Sequence, residues 1–124
     1  MNLIEKFKGT GVAVITPFLD DLTIDLKSIN QLVDFLETGN IKNSVNFPNV
    51  QLPRSTMNRI AVTNKNVPAM IGQIATSLGE LELNIADMTN VSKGDIAYNL
   101  IDIENEVKES AIKELQKIEN ILRI

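Results

Sequence analysis

Cysteine, histidine and tryptophan do not occur in this chain of 124 residues. Without cysteine there is no disulfide framework, no thiol nucleophile and no thiolate metal site. Without histidine, the side chain best suited to moving protons near neutral pH is missing. Aromatics make up 4% of the residues and the lysines are scattered singly, so neither a base-stacking platform nor a phosphate-tracking patch for nucleic acid is visible. The net charge of −4 is mild. The longest apolar run, Gly11–Ile15, is far too short to span a membrane. The opening Met-Asn-Leu-Ile-Glu-Lys lacks a basic segment followed by an apolar stretch, so no secretory signal is expected and a cytoplasmic location is the default. Carboxylates, lysines, hydroxyls and the single tyrosine, Tyr98, remain for chemistry. That inventory predicts a non-enzyme, with no catalytic residue, cofactor or metal.

Residues Gly9–Phe18 (GTGVAVITPF) form an apolar run bounded by glycines and a proline, the pattern of a strand buried on both faces. Asp25 is then placed to cap a helix in which Leu26, Ile29, Leu32, Val33 and Leu36 recur at helical spacing, and Gly39 supplies the stop. Asn40–Asn58 has no periodicity, two prolines and many amides, and reads as an extended linker. From Arg59 onward the pattern is regular. Arg59–Asn64 alternates as a strand; Asn66-Val67-Pro68 starts a helix, with Asn66 able to cap it and Met70, Ile71, Ile74, Leu78 and Leu81 as its inner stripe. Asn84–Val91 and Asp95–Ile103 read as strands joined at Ser92-Lys93-Gly94. Glu106–Glu119 reads as a second helix, with Glu104/Lys108 and Glu109/Lys113 spaced as i,i+4 pairs, and Asn120–Ile124 as a closing strand. The expected class is α+β: a ferredoxin-like β-α-β-β-α-β unit at 59–124, two helices on a four-stranded antiparallel sheet. An orphan βα unit (1–40) and an extended linker (41–58) precede it.

The order and spacing of residues 59–124 resemble the ACT domain, a small amino-acid-sensing module. The wording is closer still to the D-3-phosphoglycerate dehydrogenase family. The resemblance runs from about residue 42, through GNIKNSVNFPNVQLP, Asn64-Lys65-Asn66-Val67-Pro68 and Asn84-Ile85-Ala86-Asp87-Met88 to Gly94-Asp95-Ile96-Ala97-Tyr98 and Ile121-Leu122-Arg123. Residues Phe7–Phe18 (FKGTGVAVITPF) and the helix to Leu36 resemble the first βα unit of dihydrodipicolinate synthase, a (β/α)₈ aldolase barrel. That family continues with a Gly-Thr-Thr-Gly-Glu loop and later a Schiff-base lysine. Here Leu36-Glu37-Thr38-Gly39-Asn40 leads instead into the dehydrogenase-like segment, so the chain reads as a fusion.

The ACT resemblance implies a ligand site at the first strand-to-helix turn, completed by a neighbouring subunit, with serine as effector. Polar side chains matching Asn64, Asn66 and Asn84 would hold the amino and carboxylate groups, with backbone N–H groups near Pro68 and Ala69. A helix N-terminus with its unpaired N–H groups suits a carboxylate. A second reading stands beside this one: Asn66 caps its helix and Asn84 starts a strand. The family pattern has histidine at the first position and glycine at those of Ala69 and Glu82, so positive φ at these two residues would be costly here. Lys8, Lys27 and Lys65 lack the buried pocket that a Schiff-base amine needs. Asp20, Asp21 and Asp25 read as a solvated turn and cap rather than a metal cluster, and Tyr98 as a packing residue. The expected partners are a small amino acid, a second copy paired through sheet edges, and a full-length dehydrogenase in trans. Nucleic acid and membrane are not expected. The alternative is an association module or recombination remnant that binds nothing small, each half still resembling an enzyme family. The apolar strand Val12–Ile15, with no parallel partner of its own, also favours association.

Overall fold

The computed structural model describes residues 26–56 and 58–124. The strand expected at 9–18, Lys8, the aspartates Asp20 and Asp21 and the cap Asp25 lie outside the described residues. Within them run α1 (Leu26–Thr38), β1 (Asn58–Lys65), α2 (Met70–Glu80), β2 (Ile85–Lys93), β3 (Ile96–Ile103), α3 (Glu109–Leu115) and β4 (Ile121–Arg123). The class is α+β. The four strands form one antiparallel sheet in the order β2-β3-β1-β4, compatible with a ferredoxin-like arrangement.

Period-two alternation splits each strand between two faces. Ile60 and Val62 of β1 and Ile101 and Ile103 of β3 meet Ile74 and Leu78 of α2 and Ala111 and Leu115 of α3. Each such buried aliphatic contributes roughly 1.5–3 kcal/mol relative to exposure. The opposite face carries Tyr98 and Leu100, and it is covered by the aperiodic stretch after α1. Ile41 and Val50 bridge antiparallel through reciprocal N–H···O bonds of 2.8 and 2.9 Å, and with Phe47 and Leu52 they bury themselves against the sheet. Central strand β3 is therefore enclosed on both sides, buried from Ala97 to Ile103.

Helix α1 forms where its apolar spacing predicts, but it buries differently. Leu26, Val33 and Leu36 are exposed, and Phe35, outside the predicted stripe, is the residue that packs on the second cluster. Gly39 ends the helix at φ +76 with its N–H on the Phe35 carbonyl. A Cβ there would lie 2.8 Å from Leu100 Cδ2, so glycine is required for space as well as for φ. The Tyr98 hydroxyl donates to the Gly39 carbonyl at 2.8 Å, and its ring meets Phe47 edge-on, the packing role expected of it. Burial pushes the Tyr98 phenol pKa up.

Three boundaries shift for local reasons. The β2–β3 turn is the two-residue Gly94-Asp95, one step later than expected, because Lys93 still pairs with Ile96 and Gly94 takes φ +59. Helix α3 starts at Glu109 because the Asn105 side chain and Glu104 are engaged with Asn84 instead of entering a helix, so only the Glu109–Lys113 pair forms, at 3.0 Å. It ends past Leu115 because the Lys117 and Ile118 N–H groups bond to the third carbonyl back, and Asn120 at φ +69 swings the chain into β4.

Across the covered face, Arg59 and Asp102 stand opposite each other on β1 and β3. Arg59 Nε and Nη2 donate to the two Asp102 oxygens at 2.5 and 2.8 Å, while Nη1 donates to the carbonyls of Thr38 (3.0 Å) and Leu52 (2.8 Å). Ser55 adds its N–H and hydroxyl to Asp102 Oδ2 at 2.8 and 2.9 Å. Both side chains are buried. The hydrogen bond from Arg59, ahead of the opposing cost of burial, lowers the Asp102 pKa from 3.8 to about 2 and raises that of Arg59.

Removing either partner strands a buried charge, so Arg59→Ala and Asp102→Ala are each expected to cost roughly 3–5 kcal/mol in urea unfolding. A carboxylate whose folded pKa lies below its unfolded one stabilises above the unfolded value and loses that contribution as pH falls through the folded one. Wild-type stability is thus expected to drop between about pH 4 and about pH 2 by roughly 2 kcal/mol from Asp102 alone. Asp102→Asn should flatten that part of the pH profile, and an unchanged slope would show that other groups carry it.

Candidate functional site

Strand β1 runs out at Lys65, and the next residues are stitched to the β2–β3 turn. The Asn66 N–H donates to the Asp95 carbonyl at 2.8 Å and the Asn66 side-chain amide to the Gly94 carbonyl at 3.0 Å. The chain then enters α2 through Ala69, at φ 68 and ψ 3 in the left-handed region, with no side-chain cap. Asn66 therefore does not cap α2, a correction to the sequence reading. It sits three residues before Ala69, and its amide is already committed to Gly94. The first-turn N–H groups of α2, at Met70, Ile71 and Gly72, are left without intrahelical acceptors.

Between that turn and the helix-facing side of the sheet lies a cavity of about 150 Å³, lined among others by Asn64, Asn66, Ala69, Ile71, Gly72 and Asn90. Asn64 is buried, and it donates Nδ2 to the Lys65 carbonyl at 2.7 Å. Among the described residues no carboxylate or amine lines this cavity, so its walls offer neutral hydrogen bonds and backbone dipoles, suited to holding a ligand rather than to moving its protons. Two larger depressions, of about 360 and about 510 Å³, lie beside the end of α1 and along α2. Neither gathers several amides at one place.

Of the residues expected at the site, Asn64, Asn66 and Ala69 come together around this cavity. Pro68 is exposed and does not line it. Asn84 lies just before β2, at the far end of the strand from Gly94, where its Nδ2 donates to Glu104 at 2.5 Å and its N–H to the Asn105 side chain at 3.0 Å. Within one chain, then, Asn84 is not part of the cavity. A further asparagine, Asn90, also lines it, and Asn99 stands behind the lining, bonded to both Asn64 and Asn90. A signal was available for Asn99, a polar residue on the face of β3 that is otherwise apolar, whereas Asn90 sits on an exposed edge strand where nothing local distinguishes it.

No family model matches the chain. The chain is similar to D-3-phosphoglycerate dehydrogenase. The Escherichia coli protein of that name is 28% identical over 102 residues, which is 81% of this chain and 25% of that protein. The Dictyostelium discoideum protein is 26% identical over 117 residues, 89% of this chain and 28% of its own length. This chain thus spans about a quarter of the length of the dehydrogenases it matches. A shorter match, 55% identical over 29 residues, is to 4-hydroxy-tetrahydrodipicolinate synthase of Caldicellulosiruptor bescii, covering 23% of this chain and 10% of that one. Both resemblances read from the sequence are therefore found, the first as a distant likeness over most of the chain and the second over a short stretch.

Ala69 and Glu82, the two positions at which positive φ would be costly, hold φ of 68 and 57. For residues with a Cβ this conformation costs about 1 kcal/mol. Ala69→Gly and Glu82→Gly are each expected to raise stability by up to about 1 kcal/mol in urea titrations, against the usual loss on introducing glycine. A loss at both positions would show that neither backbone is strained.

Proposed function

We propose that residues 59–124 are a non-catalytic regulatory module of the ACT type that binds a small amino acid, serine by resemblance, between two subunits. The observation that carries the reading is the cavity where Asn64, Asn66 and the start of α2 converge. A zwitterionic amino acid has a carboxylate for the helix N–H groups and an ammonium for amide and backbone carbonyls, which is the complement of that wall. The distant likeness to D-3-phosphoglycerate dehydrogenase over most of this chain supports it. So does the absence from the sequence of histidine, cysteine and the Gly-x-Gly-x-x-Gly phosphate-binding fingerprint.

The second subunit enters through β2. It is a sheet edge, with β3 on one side and, among the described residues, no strand on the other. Asn84 precedes this strand and Gly94 follows it. Two β2 strands paired antiparallel about a two-fold axis place the start of one beside the end of the other. The partner's Asn84 then approaches the Asn66–Gly94 corner, which reunites the three asparagines that a single chain keeps apart. Ligand bound across this joint biases the angle between subunits, and that angle is the transmitted signal. The partner we propose for that signal is a full-length dehydrogenase.

A second reading, an association module without a ligand, is favoured by one observation: the Asn66 and Asn84 amides are already engaged, with Gly94 and Glu104. Isothermal titration with L-serine, with glycine, alanine and lysine as controls, separates the two. The sensor reading expects saturable heat with serine, weakened roughly tenfold or more by Asn66→Ala or Asn84→Ala. A folded dimer that gives no heat with any of these amino acids leaves the association module standing.

A further inference from the structure

The helix-facing side of the sheet carries a chain of three amides whose direction is set by one backbone carbonyl. Val62 and Asn99 are register partners on β1 and β3, and Asn99 and Asn90 are partners on β3 and β2. Asn99 is buried in the middle. Its Nδ2 donates both to the Val62 carbonyl at 3.1 Å and to Asn64 Oδ1 at 2.7 Å, and its Oδ1 accepts from Asn90 Nδ2 at 2.5 Å. The Val62 carbonyl can only accept, so it fixes which end of the Asn99 amide faces β1. The rest follows in order. Asn64 must turn its oxygen inward and keep its NH₂ for the Lys65 carbonyl and the cavity, and Asn90 must turn its NH₂ inward and keep its oxygen outward.

Reversing any one amide would set oxygen against oxygen or NH₂ against NH₂ at the buried Asn99. The wall therefore has a fixed polarity: an N–H left over at Asn64, near the α2 N-terminus, and a carbonyl oxygen left over at Asn90. We propose that Asn99 is a positioning residue and Asn90 a specificity-determining contact of this cavity. Together they select a small amino acid whose side chain carries a hydrogen-bond donor over its apolar counterpart of the same size. The proposal rests on the amino-acid-binding reading above. It adds two residues, neither of which the sequence pattern had marked, and a reason for choosing between ligands.

The test compares wild type with Asn99→Val and with Asn90→Leu, the second lying at an exposed strand edge where folding is least at risk. In the free wild-type protein, side-chain amide NMR should show slow hydrogen exchange at Asn99 and Asn64. Asn99→Val should speed exchange at Asn64 by about tenfold or more while backbone amides of the sheet keep their shifts. With ligand, the ratio of serine to alanine affinity should fall about tenfold in both variants, with alanine affinity little changed in Asn90→Leu. Fast exchange at Asn64 in wild type overturns the relay whether or not any ligand binds. Wild-type serine binding with an unaltered serine-to-alanine ratio in both variants overturns the proposal and leaves the amino-acid reading intact. Slow exchange with no binding of any amino acid overturns both, because the relay then holds a structural network and no ligand wall.

Discussion

The Arg59–Asp102 pair is the joint on which the arrangement of layers depends. A buried ion pair gains little by charge alone, because desolvation of both groups offsets the attraction. This one is favourable because its hydrogen bonds are saturated: the guanidinium reaches both carboxylate oxygens and two carbonyls, and the carboxylate also accepts twice from Ser55. The contacts reach β1, β3, the end of α1 and the segment after it. A one-residue slip of β1 against β3 would move Arg59 to the other face, so the pair also fixes register.

The elements legible in the sequence are those whose signal is local. Alternation announced β1, the turn around Gly94 announced the β2–β3 pair, helical spacing announced α1 and α2, and Gly39 and Gly94 announced two of the places where φ turns positive. What was illegible depends on partners distant in the chain. Residues 41–52 lack periodicity because they cover a sheet face as an irregular layer, and their buried residues follow the shape of Tyr98 and Leu100 instead of a repeat. Arg59 and Asp102 are 43 residues apart, and nothing near either one identifies the other. Asn66 had the right type and spacing for a cap, but the Gly94 carbonyl, reached only after the hairpin folds back, competes for its amide.

The candidate site shows the same division. Asn64, Asn66 and Ala69 are close in sequence to the turn that brings them together. Asn90 and Asn99 arrive through cross-strand pairing, and Asn84 is directed to the opposite end by the same pairing. The neutral lining of the cavity has a further physical meaning. Among the described residues no ionisable side chain lines the cavity, so the polar groups it offers do not change with side-chain titration.

Tyr98 is the one tyrosine of the chain, and tryptophan is absent. Its ring stands edge-on to Phe47 and its hydroxyl is tied to the carbonyl that closes α1. The near-ultraviolet absorption and emission of the protein therefore come almost entirely from one chromophore, seated where the helix, the irregular layer and the central strand meet. A loosening of that seam would free the phenol to water and alter its chiral environment. The molecule thus carries an intrinsic optical gauge of how firmly α1 is docked to the sheet, and no label has to be introduced to read it.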